Sequence, residues 1–193
     1  MDMQSFISAL RFVSHASAVR DVRHYLKGVL FEFSADKLVL VGCDGARLAA
    51  VTLPPVDDVQ GSFIVSNASV KQIVSMFGKD KTGDALFKND GKQLALSSIF
   101  GASYNLEVTD GTYPDWRRVV PAGSREITTM PQISPVLLGD ACKAIAPLCQ
   151  LIKGIPSIRI LAAGEGNSVL MRPRSIANPQ LTDVLVVVQP TRV

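Results

Sequence analysis

The chain has 193 residues, of which 47% are hydrophobic, with a formal net charge of +3 and three cysteines. This content allows a folded core, and no apolar run reaches the roughly 18 residues of a membrane-spanning helix. The mild charge permits a nucleic-acid partner without requiring one. The N-terminus lacks the pattern of a signal peptide, and Cys43, Cys142 and Cys149 form no disulfide framework, so we expect a cytoplasmic protein.

The first part of the chain, which we call unit one (residues 1–55), reads as one helix followed by three strands. Apolar residues recur at helical spacing over residues 3–15. Strands are predicted at 28–34, 37–43 and 47–53, because turn residues separate alternating apolar runs there.

Unit two (residues 56–121) repeats this order. A short strand at 62–65 precedes a helix for which Ser69 is the predicted N-cap, with Gln72 as its capping-box partner and Gly78 as its stop. Three more strands are predicted at 84–88, 93–99 and 104–109.

Unit three (residues 122–193) follows the same pattern. A strand at 126–130 leads to a helix with Ser134 as N-cap and Pro135 in its first turn, and Pro147 should end or kink this helix. Strands are predicted at 157–162, 168–172 and 184–188, with a loop at 173–179.

The three predicted helices begin near residues 3, 69 and 135, which indicates an internal repeat of roughly 66 residues. Each repeat places one helix beside antiparallel hairpins. The sequence therefore predicts an α+β fold made of repeated half-domain units, each with one helix packed on antiparallel strands.

One stretch, DVRHYLKGVLFEF (residues 21–33), combines a polar segment with an alternating apolar strand. Gly28 stands between the polar segment and the strand, and a bend or a close backbone approach costs little at a glycine. Cations and an aromatic residue held by a strand suit a polyanion or a partner protein. A solvated turn before an ordinary strand is the alternative.

This stretch is followed by CDGARLAAV (residues 43–51) and DGTYPDWRRVVP (residues 110–121), and the chain ends in VVVQPTRV (residues 186–193). In order and approximate spacing, these four segments resemble the bacterial sliding clamp, the β subunit of DNA polymerase III. The resemblance covers nearly the whole chain and is weakest over residues 122–178.

The resemblance implies a DNA-clamp-like fold. It likens residues 1–121 to the clamp's middle domain, built from two half-units, and residues 122–193 to the second half of its last domain. On this comparison the clamp's first domain and half of its third are missing. It also implies a non-catalytic accessory subunit of a DNA polymerase that acts in DNA replication and processivity.

Clamps bind short hydrophobic peptides of polymerases and other replication or repair proteins in a groove between two domains. The resemblance places one bank of this groove at Leu26, Cys43, Gly45, Ala46, Arg47, Leu48, Pro114, Arg118 and Val119. It places the other bank at Gln132, Pro135, Ser168, Val187, Val188, Gln189, Pro190, Thr191, Arg192 and Val193. Clamps usually carry other residues at Cys43, Ala46 and Pro135, so the pocket differs in shape. The alternative is that these residues only pack one unit on another.

The resemblance also assigns contact with double-stranded DNA to Arg20, Arg23, His24 and Tyr25, since cations neutralise phosphates and tyrosine stacks on bases. Arg11, Lys71 and Lys143 on the three helices would add positive charge, although an ordinary solvated face carries as much. Trp116 is expected to pack in the core or a linker.

An enzyme is disfavoured, because the sequence has no phosphate loop and no HExxH or GxSxG motif, and no cofactor or metal is predicted. The alternative to a replication accessory protein is a regulator or decoy that competes with the true clamp for clamp-binding motifs without encircling DNA.

Three half-units cannot pair off within one chain. We therefore expect either a homodimer through unit three or a monomer that packs unit three back onto unit two and covers its free sheet edge with the 173–179 loop.

Overall fold

The computed structural model describes residues 1–57, 59–79, 83–90, 93–121, 131–151, 154–162 and 168–190. Its helices are α1 (Met3–Ser14), α2 (Asn67–Phe77) and α3 (Pro135–Ile145). Its strands are β1 (Gly28–Phe33), β2 (Leu38–Cys43), β3 (Arg47–Leu53), β4 (Gly61–Ser66), β5 (Ala85–Asn89), β6 (Leu94–Ser98), β7 (Ser103–Leu106), β8 (Ile158–Ala162), β9 (Val169–Pro173) and β10 (Thr182–Val188). The predicted α+β order is confirmed, and the predicted strand at 126–130 lies outside the described residues.

The start of α2 differs from the prediction. Ser66, rather than Ser69, is the N-cap, and its hydroxyl accepts the backbone N–H of Ser69 at 3.1 Å. Ser69 is buried, and its hydroxyl accepts the backbone N–H of Glu107 at 2.8 Å. The predicted capping box is therefore wrong, because the tertiary contact with Glu107 uses the serine that the local pattern assigned to the cap. Gly78 ends α2 as predicted, with its N–H donated to the carbonyl of Val74.

The predicted start and end of α3 are confirmed. Ser134 is the N-cap and Pro135 is the first helical residue, where its missing N–H costs nothing. The α-helix ends at Ile145, and a single 3-10 turn (Ala146–Leu148) containing Pro147 follows.

The strands form two antiparallel sheets. A seven-stranded sheet has the order β4-β1-β2-β3-β10-β9-β8, and a three-stranded sheet has the order β5-β6-β7. In the larger sheet, β10 of unit three pairs with β3 of unit one, and Val187 lies opposite Leu48.

Unit three therefore continues the sheet of unit one. The alternative in which it packs back onto unit two is wrong for the described residues. The 173–179 loop does not fulfil its expected role as a cover for the sheet edge. It packs against α1, where the side-chain amide of Asn178 donates to the Ser5 hydroxyl at 2.7 Å.

Units one and two exchange strands reciprocally. The strand before α2, β4, pairs with β1, the first strand after α1. In return, the residues before α1 pair with the start of β5, the first strand after α2, through an Asp2–Asp84 bridge and an Ala85 N–H bond to the Met1 carbonyl at 2.8 Å. β1 and β4 approach closely at Gly28, since a Cβ there would lie 2.6 Å from the Val65 carbonyl oxygen.

The main core lies between the helices and the sheets. Phe6 of α1 is fully buried and makes edge-on ring contacts with Phe31 and Phe87, at centroid distances of 6.0 and 5.2 Å. Because Phe31 belongs to unit one and Phe87 to unit two, this cluster joins the two units through a single apolar centre.

We expect Phe6→Ala to lower the free energy of unfolding by about 3–5 kcal/mol, because it leaves a cavity between the two units. Urea denaturation followed by circular dichroism measures this. Phe100→Ala is the matched control, since Phe100 is 68% exposed, and should change stability by no more than about 0.5 kcal/mol. Equal losses in the two variants would contradict the assignment of the core.

Candidate functional site

The seam between unit one and unit three lies where β3 meets β10, and it brings the two banks of the predicted groove together. Leu48 lies opposite Val187, and Arg47 lies opposite Val188. The backbone N–H of Gln189 extends the pairing by donating to the carbonyl of Ala46 at 2.8 Å. Because side chains alternate along a strand, Leu48 and Val187 share one face of the sheet and Arg47 and Val188 share the other.

The face opposite the helices, which we call the outer face, carries its own apolar cluster. Its buried members are Leu30, Val39, Val41, Leu48, Ala50, Ile64, Leu170, Leu185 and Val187. Tyr113, Trp116 and Val120 pack on this cluster from the segment that ends unit two. The Tyr113 hydroxyl donates to the Val41 carbonyl at 3.4 Å. Burial raises the pKa values of Tyr113 and of the nearby Cys43 thiol, so both stay neutral at pH 7.

A cavity of about 340 Å³ crosses the seam on the outer face. Val39, Ala50 and Leu185 form its floor, and Trp116 and Val120 form its wall. Its rim is mainly cationic, with Lys37, Arg117, Arg172 and the single carboxylate of Asp183. A hydrophobic peptide side chain would find here an apolar floor and a few polar groups to orient its backbone.

Sequence reasoning missed most of this cavity. Ala50 and Leu185 stand two residues from the predicted Leu48 and Val187, and side chains two apart on a strand point to the same face. The period-2 pattern was therefore a signal that could have found them. The contribution of Arg172 depends on strand order, which the local pattern does not contain.

Trp116 stands between this cavity and a second one of about 510 Å³ that reaches Leu30, Ile64 and the predicted Pro114. Its indole N–H donates to Glu32 at 3.4 Å, and the Arg117 guanidinium lies 4.3 Å from the ring centroid. Arg117 also donates to both Glu32 oxygens, at 3.2 and 2.8 Å. Trp116 packs on the sheet, in line with the packing role expected for it, and it also lines both cavities.

Several predicted groove residues lie elsewhere. Arg47 is directed at α3 on the helix side, where it forms ion pairs with Asp44 at 3.0 Å and Asp140 at 2.9 Å. A ligand on the outer face does not reach it there. Leu26 and Val188 are buried in the fold.

The remaining predicted groove residues lie at the surface or at its edge. Gly45, Ala46, Pro114, Arg118, Val119, Gln132 and Pro135 are exposed. Gly45 has a φ of 91°, which favours glycine in the β2–β3 turn. The Ser168 hydroxyl donates to the side chain of Gln189 at 3.0 Å, and Pro190 is half-buried. Thr191, Arg192 and Val193 lie outside the described residues.

Three of the four residues predicted to contact DNA interact with other residues of the chain. Arg23 forms an ion pair with Asp21 at 2.8 Å, and its hydrogen bonds hold the pKa of that carboxyl well below its usual range. The His24 ring contacts the Asp110 carbonyl at 3.1 Å, and Tyr25 packs half-buried against the outer-face cluster. Arg20 is exposed, with no ion-pair partner among the described residues.

The helix side carries two grooves that share Arg11. One, of about 630 Å³ between α1 and α3, also contains Lys143 and Arg47, and Asp140 is the carboxylate that lines it. The other, of about 520 Å³ between α1 and α2, contains Lys27 and Lys71. Since Asp140 is already paired with Arg47, this surface has a net positive charge that suits a polyanion.

His15 is the C-cap of α1 and lines the groove between α1 and α3. Its Nδ1 contacts the Phe12 carbonyl, and its buried Nε2 has no hydrogen-bond partner among the described residues. Burial lowers the pKa of His15, with a smaller contribution in the same direction from Arg47. His15 is therefore neutral at pH 7. The described residues contain no cluster of side chains that could hold a metal ion, and no described helix is long and apolar enough to span a membrane.

Comparisons with known proteins point to one family. The chain is 32% identical to the beta sliding clamp of Escherichia coli (strain K12) over 120 residues, which cover 62% of this chain and 31% of the relative. It is 28% identical to the beta sliding clamp of Pseudomonas putida over 116 residues, which cover 59% of this chain and 31% of the relative. No family model matches the chain.

Solved clamp structures share the fold over the whole chain. The β subunit of DNA polymerase III from Thermotoga maritima matches with a TM-score of 0.81 and 18% identity, covering 100% of this chain and 65% of the other. A clamp from Bartonella birtlesii bound to griselimycin matches with a TM-score of 0.80 and 18% identity, again covering 100% and 65%.

The chain therefore has the sliding-clamp fold, and the resemblance seen in its sequence is confirmed. It is a clamp-like protein, similar to the β subunit of bacterial DNA polymerase III. It spans about 31% of the length of the curated relatives and about 65% of the clamp structures that it matches.

Because the folded-state pKa of His15 is lowered, the unfolded chain binds more protons near the ordinary pKa of 6.5. The stability contributed by neutral His15 is present above pH 6.5 and is lost as the pH falls below it. We expect the wild type to lose more unfolding free energy than His15→Gln between pH 7.5 and 5.5, measured by urea denaturation at each pH. A parallel loss in both proteins would show that other groups cause it.

Proposed function

We propose that this chain is a non-catalytic, cytoplasmic accessory protein of DNA replication, which binds hydrophobic peptide segments of a polymerase or other partner proteins on the outer face of its sheet. The observation that carries this proposal is the 340 Å³ cavity across the seam, floored by residues of both units. The curated relatives, named as clamps, support the replication context.

The chemistry of the groove defines the expected peptide. Apolar or aromatic side chains fit the floor formed by Ala50 and Leu185, against the Trp116 wall. Arg172 on the rim favours backbone carbonyls or a carboxylate, because a guanidinium donates hydrogen bonds in a forked geometry. We therefore expect a short hydrophobic peptide with an acidic or polar flank to bind best.

A fluorescently labelled peptide with a clamp-binding motif should bind with a Kd of about 1 μM, or about −8.2 kcal/mol, in an anisotropy titration. Ala50→Phe should weaken binding at least about tenfold by filling the cavity, since Ala50 lies on its floor. Deletion of residues 190–193 should abolish binding while the fold survives. Griselimycin, which is bound to the Bartonella clamp, serves as a second probe.

The control for the peptide experiment is Ala102→Phe, which adds the same ring at an exposed turn of unit two. It should bind as the wild type does. If Ala50→Phe and the deletion both retain wild-type affinity while the chain remains folded, the outer face is not the peptide site.

We extend the proposal to weak binding of double-stranded DNA on the helix side. Arg11, Lys71 and Lys143 line the two helix-side grooves, and the exposed Arg20 lies in the adjoining loop. Charges spread in this way bind the phosphate backbone without reading sequence, so the affinity should be low and strongly dependent on salt.

The triple variant Arg20→Ala, Lys71→Ala, Lys143→Ala should weaken duplex binding and flatten its dependence on salt by about 0.9 in log–log slope for each phosphate contact removed. The charge-matched control is Lys37→Ala, Lys88→Ala, Arg159→Ala, which removes three exposed cations outside the two helix-side grooves. Equal slopes in the two triple variants would show that only net charge matters. Absence of binding by the wild type at low salt would rule out the DNA function and leave the peptide function in place.

A second candidate function is a regulator or decoy that occupies clamp-binding motifs without encircling DNA. The observation that favours it is the state of the predicted DNA loop, where Arg23 is neutralised by Asp21 and Tyr25 is packed on the sheet. A decoy would displace the peptide from a full-length clamp and reduce polymerase processivity, whereas an accessory protein would not reduce it.

A further inference from the structure

Among the residues that the structure describes, β8 is the last strand of the seven-stranded sheet. β8 pairs with β9 on one side, and no described residue pairs with it on the other. At the opposite edge of the same sheet, the last part of β4 is covered, since the backbone N–H of Ser66 donates to the Glu107 carbonyl at 2.9 Å and that of Thr109 donates to the Ile64 carbonyl at 2.7 Å. An uncovered strand edge presents unpaired N–H and C=O groups and tends to recruit another strand.

The equivalent strand of unit one is paired on both sides. β1, like β8, is the first strand after the helix of its unit, and it is sealed by β4 of the neighbouring unit. Val29 and Phe31 of β1 are consequently 0% exposed. By contrast, Ile160 lies opposite the fully buried Met171 on the helix side of the sheet, yet remains 38% exposed at the edge.

Unit three also leaves other large apolar side chains in solvent. Leu151 and Ile155, which precede β8, are 60% and 64% exposed, and Val136 at the start of α3 is 68% exposed. Surface apolar residues are unremarkable when scattered singly, but several in one unit that also ends in a strand edge without a described partner indicate an interaction surface.

The way in which units one and two complete each other identifies the partner. In each unit, the segment before the helix pairs with the first strand after the helix of the other unit, so that the pairing is reciprocal. Reciprocal exchange between similar units is the pattern of a two-fold axis. Unit three has the same helix and strand order but no such neighbour among the described residues.

We propose that the edge of β8 away from β9 and the apolar surface of unit three bind unit three of a second copy of this chain, in a two-fold dimer. The seam between β3 and β10 is not used, so the outer-face cavity remains accessible in both copies.

Light scattering coupled to size exclusion tests this on the full chain. We expect a mass of twice the 20.7 kDa of one chain. Ile160→Lys places a charge on the buried side of the edge and should halve the mass. Phe100→Lys, which adds the same charge at an exposed site on unit two, should leave the dimer intact.

Hydrogen exchange on the wild type provides a second measurement that needs no variant. The amides of β8 should gain protection as the protein concentration rises through the dissociation range, while those of β5 should not. A single-chain mass at all concentrations would overturn the proposal. A dimer that survives in folded Ile160→Lys, or one whose β8 amides exchange at the same rate at every concentration, would place the interface elsewhere.

Discussion

The pairing of β3 with β10 holds unit three on unit one and sets which side chains face each side of the sheet. It joins residues that are far apart in the chain, Leu48 and Val187, in one antiparallel register and extends the sheet of unit one into unit three. A shift by one residue would turn every side chain of β10 to the opposite face. The register change between Thr182 and Leu185, where Asp183 has a φ of 47°, marks where the strand departs from regular pairing.

This register divides the molecule into two surfaces with different chemistry. Leu48 and Leu185 contribute to an apolar outer face, whereas Arg47 leaves the same strand on the helix side and pairs with Asp140 of α3. The ion pair ties β3 to α3 and neutralises the carboxylate that lines the groove between α1 and α3. An apolar groove and a cationic surface thus share one sheet without competing for the same residues.

The candidate site could be predicted in part. The resemblance assigned residues to two banks of a groove, and the structure brings one residue of each, Leu48 and Val187, together at the seam. The resemblance did not reveal that Arg47 faces the helices. Alternation along a strand separates its side chains into two sets, but it does not say which set faces the helices until the neighbouring strands are known. Arg172 on the cavity rim was missed for the same reason, since β9 reaches that position only through its pairing with β10.

The helices and strands of the described residues, and their repetition, could be predicted from the amino-acid sequence alone, because they follow from local periodicity and turn residues. The start of helix α3 at Ser134 and Pro135 agrees with its local sequence pattern. The strand order, the cavity over the seam, the N-cap of α2 and the ion pair of Arg47 with Asp140 became known only from the tertiary structure. Each depends on competition among partners or on contacts between distant segments, and the residue types of a short window do not specify either.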